Sequence, residues 1–459
     1  MNAILISAVW GVVMMFTGAF NKRPSVALGL GITGMIVLFV SNLLEMQGVR
    51  FIDIDTRGML SFDLFGLLFN AIAIFSTLVY FILSARDMRK VGNHFADYMA
   101  LIFFVLCGVA VASSFSSLLM LFLGIEIISI PLYILTGADK RNLKSNEASL
   151  KYFLMGSFST GVMLMGIALI YGAKGTFDIS AIAMGTGQLT ALIASGLLLL
   201  LFSLAFKVSA APFHFWTPDV YDGAPTVFTS FMATVVKAAS FIAFIRLFRF
   251  GFGEAQAQWQ LIVAVITVAT LFVGNITAVF QQSVKRMLAY SSIAQAGFMM
   301  FAIVALNNKA WEGILYYSAA YCLATIGIFA VLVRMKDYTY EGFNGLAKHQ
   351  PVLAATATIF LLSLAGIPAT AGFMAKFYML SSVVSAGNML WLVVVGVIFA
   401  AVSAYYYFRV IQAMYFKDGE AQEVETGNGF KATLVALAAI IVLLGIFPEW
   451  LTSFLYYFA

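Results

Sequence analysis

Four charged residues, Glu126, Lys207, Lys237 and Lys376, each lie well inside a long apolar run. A charged side chain at the centre of a bilayer costs about 2.5–3.5 kcal/mol on insertion scales. Four such costs in one chain point to groups kept for chemistry. Amines and a carboxylate in an apolar bundle can pass protons or guide a cation. An amine in hydrocarbon is drawn towards its neutral form, and a carboxylate beside it draws it back to the ammonium. A Glu–Lys pair can therefore be poised by moving one neighbouring charge.

Two bland readings compete: snorkelling to the headgroups, or a structural ion pair inside the bundle. Snorkelling suits Lys151, close to its helix start. It does not suit Lys237, which has about ten apolar or small residues on either side. His214 reads either as a proton relay or as a helix-end histidine with its partners satisfied. Tyr290, Ser291, Ser292 and Gln295 add hydroxyls and an amide to one apolar run, where they can hold waters. Asp63 and Asp97 lie nearer segment ends and are expected at the membrane interface.

Backbone breaks accompany two of the lysines. In Phe206-Lys207-Val208-Ser209-Ala210-Ala211-Pro212-Phe213-His214, the proline lacks an N–H and clashes with the carbonyl of Val208. Gly366-Ile367-Pro368-Ala369-Thr370-Ala371-Gly372 interrupts the chain ahead of Lys376. Non-helical backbone at membrane depth survives only where protein or a water-filled cavity satisfies it, and transporters build ion sites from such broken helices.

The elements that must position these groups follow from composition. Of 459 residues, 62% are hydrophobic and 10% charged, against about 25% charged in soluble domains. So little charge cannot cover a water-soluble surface. Fourteen apolar runs are separated by short polar punctuation, near 2–20, 24–44, 59–83, 97–115, 116–136, 149–172, 189–211, 227–248, 257–279, 286–306, 311–333, 351–378, 387–413 and 431–456. Each is close to the roughly 20 residues of a spanning helix. The first run has no basic n-region and no small-residue cleavage motif, so it is expected to be a span. Gly29-Leu30-Gly31 reads as close helix packing. The acidic stretch Lys417 to Lys431 is the most polar segment.

Basic residues give an orientation. The loops after odd-numbered runs, with the positions flanking them, carry seventeen, including Lys22, Arg89, Lys140, Lys285 and Arg334. Those after even-numbered runs carry six: Arg50, Arg57, Lys174, Arg246, Arg249 and Lys309. The positive-inside rule then puts both termini on the periplasmic side. The net charge of +5 suits anionic headgroups, and no basic stripe suggests nucleic acid. His94, His214 and His349 are scattered, Cys107 and Cys322 are isolated, and no phosphate-binding fingerprint is present.

The segment Phe206 to Thr226, with Trp216-Thr217-Pro218-Asp219-Val220-Tyr221 at its centre, resembles the signature of the antiporter-like subunits of respiratory complex I, NADH-quinone oxidoreductase, and most of all its subunit N (subunit 2) branch. Lys285 to Ser292, Leu364 to Tyr378 and Glu147 to Phe153 are similar as well. The resemblance implies an all-α polytopic membrane fold of about fourteen transmembrane helices, with two inverted five-helix repeats and two proline-broken helices. The implied divisions are 1–96, 97–248, 257–413 and 431–459.

The resemblance also implies roles. Glu126 and Lys207 would form the coupled pair, Lys237 the central carrier and Lys376 the lysine of the second break, with His214 and Lys151 as further relay candidates. No cofactor is expected in this chain; NADH, FMN, iron–sulfur clusters and quinone would belong to partner subunits. The implied partners are K-type and M-type neighbours and, through them, L, A, J and H, with a peripheral redox arm and the lipids of a bacterial inner membrane. Relatives often carry histidine where this chain has Gln295, which cannot take up a proton at neutral pH. A cation/proton antiporter subunit without redox coupling is the alternative function, and a structural scaffold is a third.

Overall fold

The computed structural model describes the chain except residues 22, 53, 184–188, 420–425 and 458–459, with 454–457 described by their backbone alone. Lys22, part of the acidic 417–431 stretch and the last residues of the 431–459 segment lie outside the described residues.

Apolar runs of this length fold as helices because a bilayer offers no partner for a free backbone amide. The first are α1 (Asn2–Phe20), α2 (Pro24–Met46), α3 (Leu64–Val91), α4 (Phe95–Ser114), α5 (Leu118–Thr136) and α6 (Leu143–Lys174). Next come the short α7 (Ile179–Ala183), α8 (Ala191–Lys207), α9 (Trp216–Gly223) and α10 (Thr226–Phe231). A π-helical turn, Met232–Val236, leads into α11 (Lys237–Phe252), and a 3-10 turn, Gly253–Ala255, leads into α12 (Gln256–Val279). Then follow α13 (Val284–Ala305), α14 (Asn308–Leu332), α15 (Leu346–His349), α16 (Pro351–Ala365), α17 (Ala371–Ala386), α18 (Leu390–Phe416), α19 (Asn428–Ile446) and α20 (Glu449–Tyr457).

Among the described residues, eleven helical stretches are long and apolar enough to cross a membrane, the run 226–279 counting as one, and α8 and α16 are shorter apolar helices. The fold is all-α and polytopic. Sequence boundaries shift where polar residues join a helix: α3 extends to Val91 and α6 begins at Leu143. Two bases expected in a loop, Arg246 and Arg249, instead lie inside α11. Arg246 is buried because Asp63, which caps α3, and the Phe115 carbonyl receive its guanidinium.

The interior is built around α13 and α14, buried along almost their whole length, while α6 and α18 turn Leu154, Phe158, Val394 and Val397 outward. Helix α12 lies against α13 and α4 against α5. Close approach depends on small residues. A Cβ on Gly274 would sit 2.5 Å from the Ala294 nitrogen, and one on Gly31 would sit 2.5 Å from a Met99 methyl carbon. Gly29, expected to pack in the same way, faces open space.

Candidate functional site

The first break begins as a Schellman-type helix end. Ser209 adopts φ +66°, its N–H reaches the Phe206 carbonyl (3.0 Å), and the Ala210 N–H reaches Ala205 (2.8 Å). Pro212 prevents the helix from resuming, the Ala211 N–H is taken by Thr270 Oγ1 at 2.9 Å, and α9 starts at Trp216. The second break begins the same way. Gly366 has φ +85°, and the Gly366 and Ile367 amides close on the Ser363 and Leu362 carbonyls, both at 3.0 Å. Gly372 passes Ser363 so closely that a Cβ would fall 1.7 Å from its carbonyl oxygen. No larger residue fits there without moving α16 or α17.

Each break holds a lysine against a freed or side-chain oxygen. Lys207, the last residue of α8, is half-buried and donates to Ser129 Oγ at 2.9 Å. Glu126 lies one turn before Ser129 on α5 and accepts from Thr160 Oγ1 at 2.7 Å. The structure thus brings Glu126 and Lys207 to the same face of α5, each bonded to a hydroxyl and not to one another. Lys376, in the second turn of α17, is buried and donates to the Ala365 carbonyl (2.7 Å) and Ser403 Oγ (3.3 Å), with its ammonium 4.6 Å from the Phe298 ring. That ring face stabilises a cation further.

Lys237 lies between them. It opens α11 directly after the π-helical turn, a rare distortion that occurs frequently at functional sites. Its side chain is 2% exposed and donates to both Ser292 O and Ser292 Oγ at 2.9 Å. One turn along α13, Gln295 donates to the Leu364 carbonyl (2.8 Å) and Tyr407 Oη (3.1 Å) and accepts from Tyr317. Ser291 and Tyr407 share a 2.5 Å bond. This cluster links the helix that holds Lys237 to the carbonyl beside Ala365, the acceptor for Lys376. A cavity of about 10 Å³ among Gln295, Tyr317, Tyr321 and Ser363 has room on the order of one water.

The other two sequence candidates are placed apart from this row. Lys151 sits in an ion-pair network with Glu147 (2.6 Å) and Asp219 (3.2 Å), which Arg286 extends at 3.1 Å from Asp219. His214 is buried in the first break beside Phe215, and its Nδ1 has no partner among the described residues. Sequence reasoning missed Lys285, counted as a loop base but 5% exposed, donating to the Asp222 and Ala224 carbonyls at 2.7 Å each. It also missed Asp87 and Arg334, a buried pair 2.9 Å apart. The only sequence signal for Lys285 was the Lys285-Arg286 doublet at a helix start, whose two side chains point about 100° apart. Among the described residues, no group of three or more His, Cys, Asp or Glu could hold a metal ion.

Lysines at both breaks, with a third buried on α11, are the pattern of an antiporter-type membrane subunit. The family model described as NADH:quinone oxidoreductase/Mrp antiporter, transmembrane, matches residues 115–403. The chain is 41% identical to NADH-quinone oxidoreductase subunit N of Cytophaga hutchinsonii, over 98% of both chains. A chain of respiratory complex I from Thermus thermophilus superposes with a TM-score of 0.85 at 32% identity, covering 98% of each chain. A chain of the Mrp complex from a Dietzia species shares the fold (TM-score 0.86, 98% and 95% coverage) at 19% identity. Within the antiporter-type class, the chain belongs to the subunit N family of NADH-quinone oxidoreductase.

Proposed function

We propose that this chain is a proton-translocating membrane-arm subunit of an NADH-quinone oxidoreductase, coupling electron transfer from NADH to quinone with proton movement across a bacterial inner membrane. The observation that carries the reading is the set of interior amines Lys207, Lys237 and Lys376, the first half-buried and the other two buried, each donating to an oxygen, with the Gln295 cluster reaching from the Ser292 helix to the Leu364 carbonyl. Glu126 balances the charge of Lys207 when the two approach. When they separate, the proton moves on to Lys237, and from there past the Gln295 cluster towards Lys376. His214 and Lys151 are relay candidates on the side where α9 and α13 begin. The identity to subunit N relatives favours this reading over an antiporter without redox coupling, since the likeness to the Mrp chain supports the fold alone.

Reading 226–279 as two spans, and α8–α9 and α16–α17 each as one interrupted span, brings the total to fourteen. The two five-helix repeats then cover about 97–248 and 257–413, between helices 1–96 and a last span in 431–459. Both breaks open with the same helix end, Lys207 preceding the first and Lys376 following the second. NADH, FMN, iron–sulfur clusters and quinone belong to partner subunits, with K-type and M-type neighbours and, through them, L, A, J and H. Both termini face the periplasm, because the bias of bases towards the loops after odd-numbered runs keeps its direction when Lys285, Arg246 and Arg249 are left out. A reporter fused after residue 459 should be active only outside the cytoplasm; cytoplasmic activity would reverse the orientation.

The functional test is NADH-driven proton pumping by assembled complexes carrying Lys237→Ala. The reading expects intact assembly, checked by the peripheral flavin and iron–sulfur subunits, with pumping lowered at least about tenfold for loss of an obligatory proton carrier. Wild-type pumping would remove Lys237 as the central carrier.

A further inference from the structure

The eight residues of α9, between the first break and the π-helical turn, touch the surroundings of two lysines at once. At one end, Trp216 Nε1 donates to the Phe206 carbonyl at 3.1 Å, the residue before Lys207. The Trp216 ring stacks on Phe206 at 5.4 Å and on Tyr152 at 4.7 Å. Further along, the Tyr221 hydroxyl donates to the Met232 carbonyl at 3.3 Å, in the first residue of the π-helical turn that ends at Lys237. The Tyr221 ring lies 5.8 Å from the Lys237 ammonium. Both side chains are almost fully buried, and their rings meet edge to face at 5.9 Å.

The helix is also braced as a unit. Thr229 Oγ1 donates to the Tyr221 carbonyl at 2.9 Å, and Lys285 caps the C-terminal end through the Asp222 and Ala224 carbonyls. Lys285 belongs to α13, the helix whose Ser292 receives Lys237. A short helix with donors into the backbone beside both lysines cannot shift at one end without moving the other. Core packing alone needs the rings of Trp216 and Tyr221. Burial also requires acceptors for the indole N–H and the phenol hydroxyl, and here both acceptors are carbonyls at helix irregularities beside a lysine.

We propose that α9 is a rigid coupler, with Trp216 and Tyr221 as positioning residues through which a change at Lys207 resets the backbone that aims Lys237. The proposal rests on the proton-translocation reading above. A shift of α8 at its last turn pulls the Phe206 carbonyl and Trp216, α9 moves as one body, and Tyr221 draws on Met232. The π-helical turn holds one residue more than an α-helical turn and is the segment able to take up that movement. Lys237 then swings relative to Ser292. No bond is made or broken in this step except hydrogen bonds.

The test uses the assembled complex in membrane vesicles, with Trp216→Phe and Tyr221→Phe, which keep a ring and remove the donor. Each should lower the NADH-driven pumping rate about three- to tenfold, the size carried by one buried hydrogen bond, and shift the pH profile of pumping, which loss of packing alone would not do. The double variant should lose no more than the worse single, because both act through one helix. Thr229→Val removes the brace without touching a ring and should give a smaller loss in the same direction, which keeps the test open if Tyr221→Phe assembles poorly. Wild-type pumping by assembled Tyr221→Phe or Thr229→Val, or fully additive losses in the double variant, would overturn the coupler. Lys237→Ala separates the two ideas. If it pumps normally, Lys237 is not the central carrier and the coupler fails with that role. If it does not pump while Tyr221→Phe does, only the coupler fails.

Discussion

The two breaks share a backbone design and differ in what surrounds their lysines. Both start with the same six-residue helix end, set by Ser209 in one and Gly366 in the other, and both are followed by a proline. Around Lys207 there is a carboxylate one turn from its acceptor: Glu126 on α5, held meanwhile by Thr160. Around Lys376 the polar partners are neutral, the Ala365 carbonyl and the Ser403 hydroxyl, with the face of Phe298 beside them. Coulomb interaction with a carboxylate is strong at low dielectric and falls with distance. In the proposed route the charge of Lys207 is therefore switched by moving Glu126, whereas Lys376, among the described residues, has only neutral polar partners. On that proposal the first break acts as a switch and the second as a terminal station.

This contrast would break most visibly at Lys376. Arginine in its place keeps a charge and hardly releases a proton. Assembled Lys376→Arg complexes should therefore lose at least about tenfold in pumping rate, as an alanine variant would, because a terminal station has to let its proton go. Normal pumping by Lys376→Arg would mean that fixed charge suffices and that the two breaks do not differ in kind.

A smaller effect sharpens the comparison through the two serines. Ser129 is the bonded partner of Lys207 and lies one turn from Glu126, so Ser129→Ala should cost about fivefold in pumping, from one hydrogen bond of about 1 kcal/mol. Ser403 makes a longer bond, and the Ala365 carbonyl at 2.7 Å remains when it is removed. Ser403→Ala should stay within about twofold of wild type. Equal losses in the two variants, measured as pumping by intact complexes, would remove the distinction.

Much of this was legible in the sequence, for stated reasons. Lysines in apolar runs are rare enough that Lys207, Lys237 and Lys376 stand out by hydropathy alone, and proline with glycine marked both breaks. The structure adds what one-dimensional patterns cannot carry. The Ser209 turn is invisible because serine is an ordinary residue in the left-handed region only when its neighbours force it there. The π-helical turn before Lys237 leaves no residue signature, since Met232 to Val236 reads as continuous helix. Partner choice was the least legible feature: Glu126 bonding Thr160, and Gln295 bridging Leu364 and Tyr407, depend on which helices are neighbours. Charges near helix ends misled the loop count for the same reason. Lys285 and Arg246 look like membrane-surface bases until backbone carbonyls from distant segments are found to cap them.

Gln295 shows how local chemistry replaces a residue type. Both of its amide hydrogens and its carbonyl are engaged, so it orders Tyr317, Tyr407 and the end of α16 together. A histidine there has fewer hydrogens to donate. In the proposed route the hydrogen-bonded hydroxyls of Tyr407 and Ser291 would supply the exchangeable protons along this stretch.

The account depends most on Glu126 and Lys207 acting as one unit, although here each is bonded to a separate hydroxyl. The direct measurement is NADH-driven proton pumping by intact complexes in a double-mutant cycle of Glu126→Gln and Lys207→Ala. If the pair is a switch, each single variant pumps poorly, and the double variant loses clearly less than the two single losses combined, because removing either partner already disables the other. Fully additive losses would contradict the account and leave two independent half-buried groups where it places one coupled device.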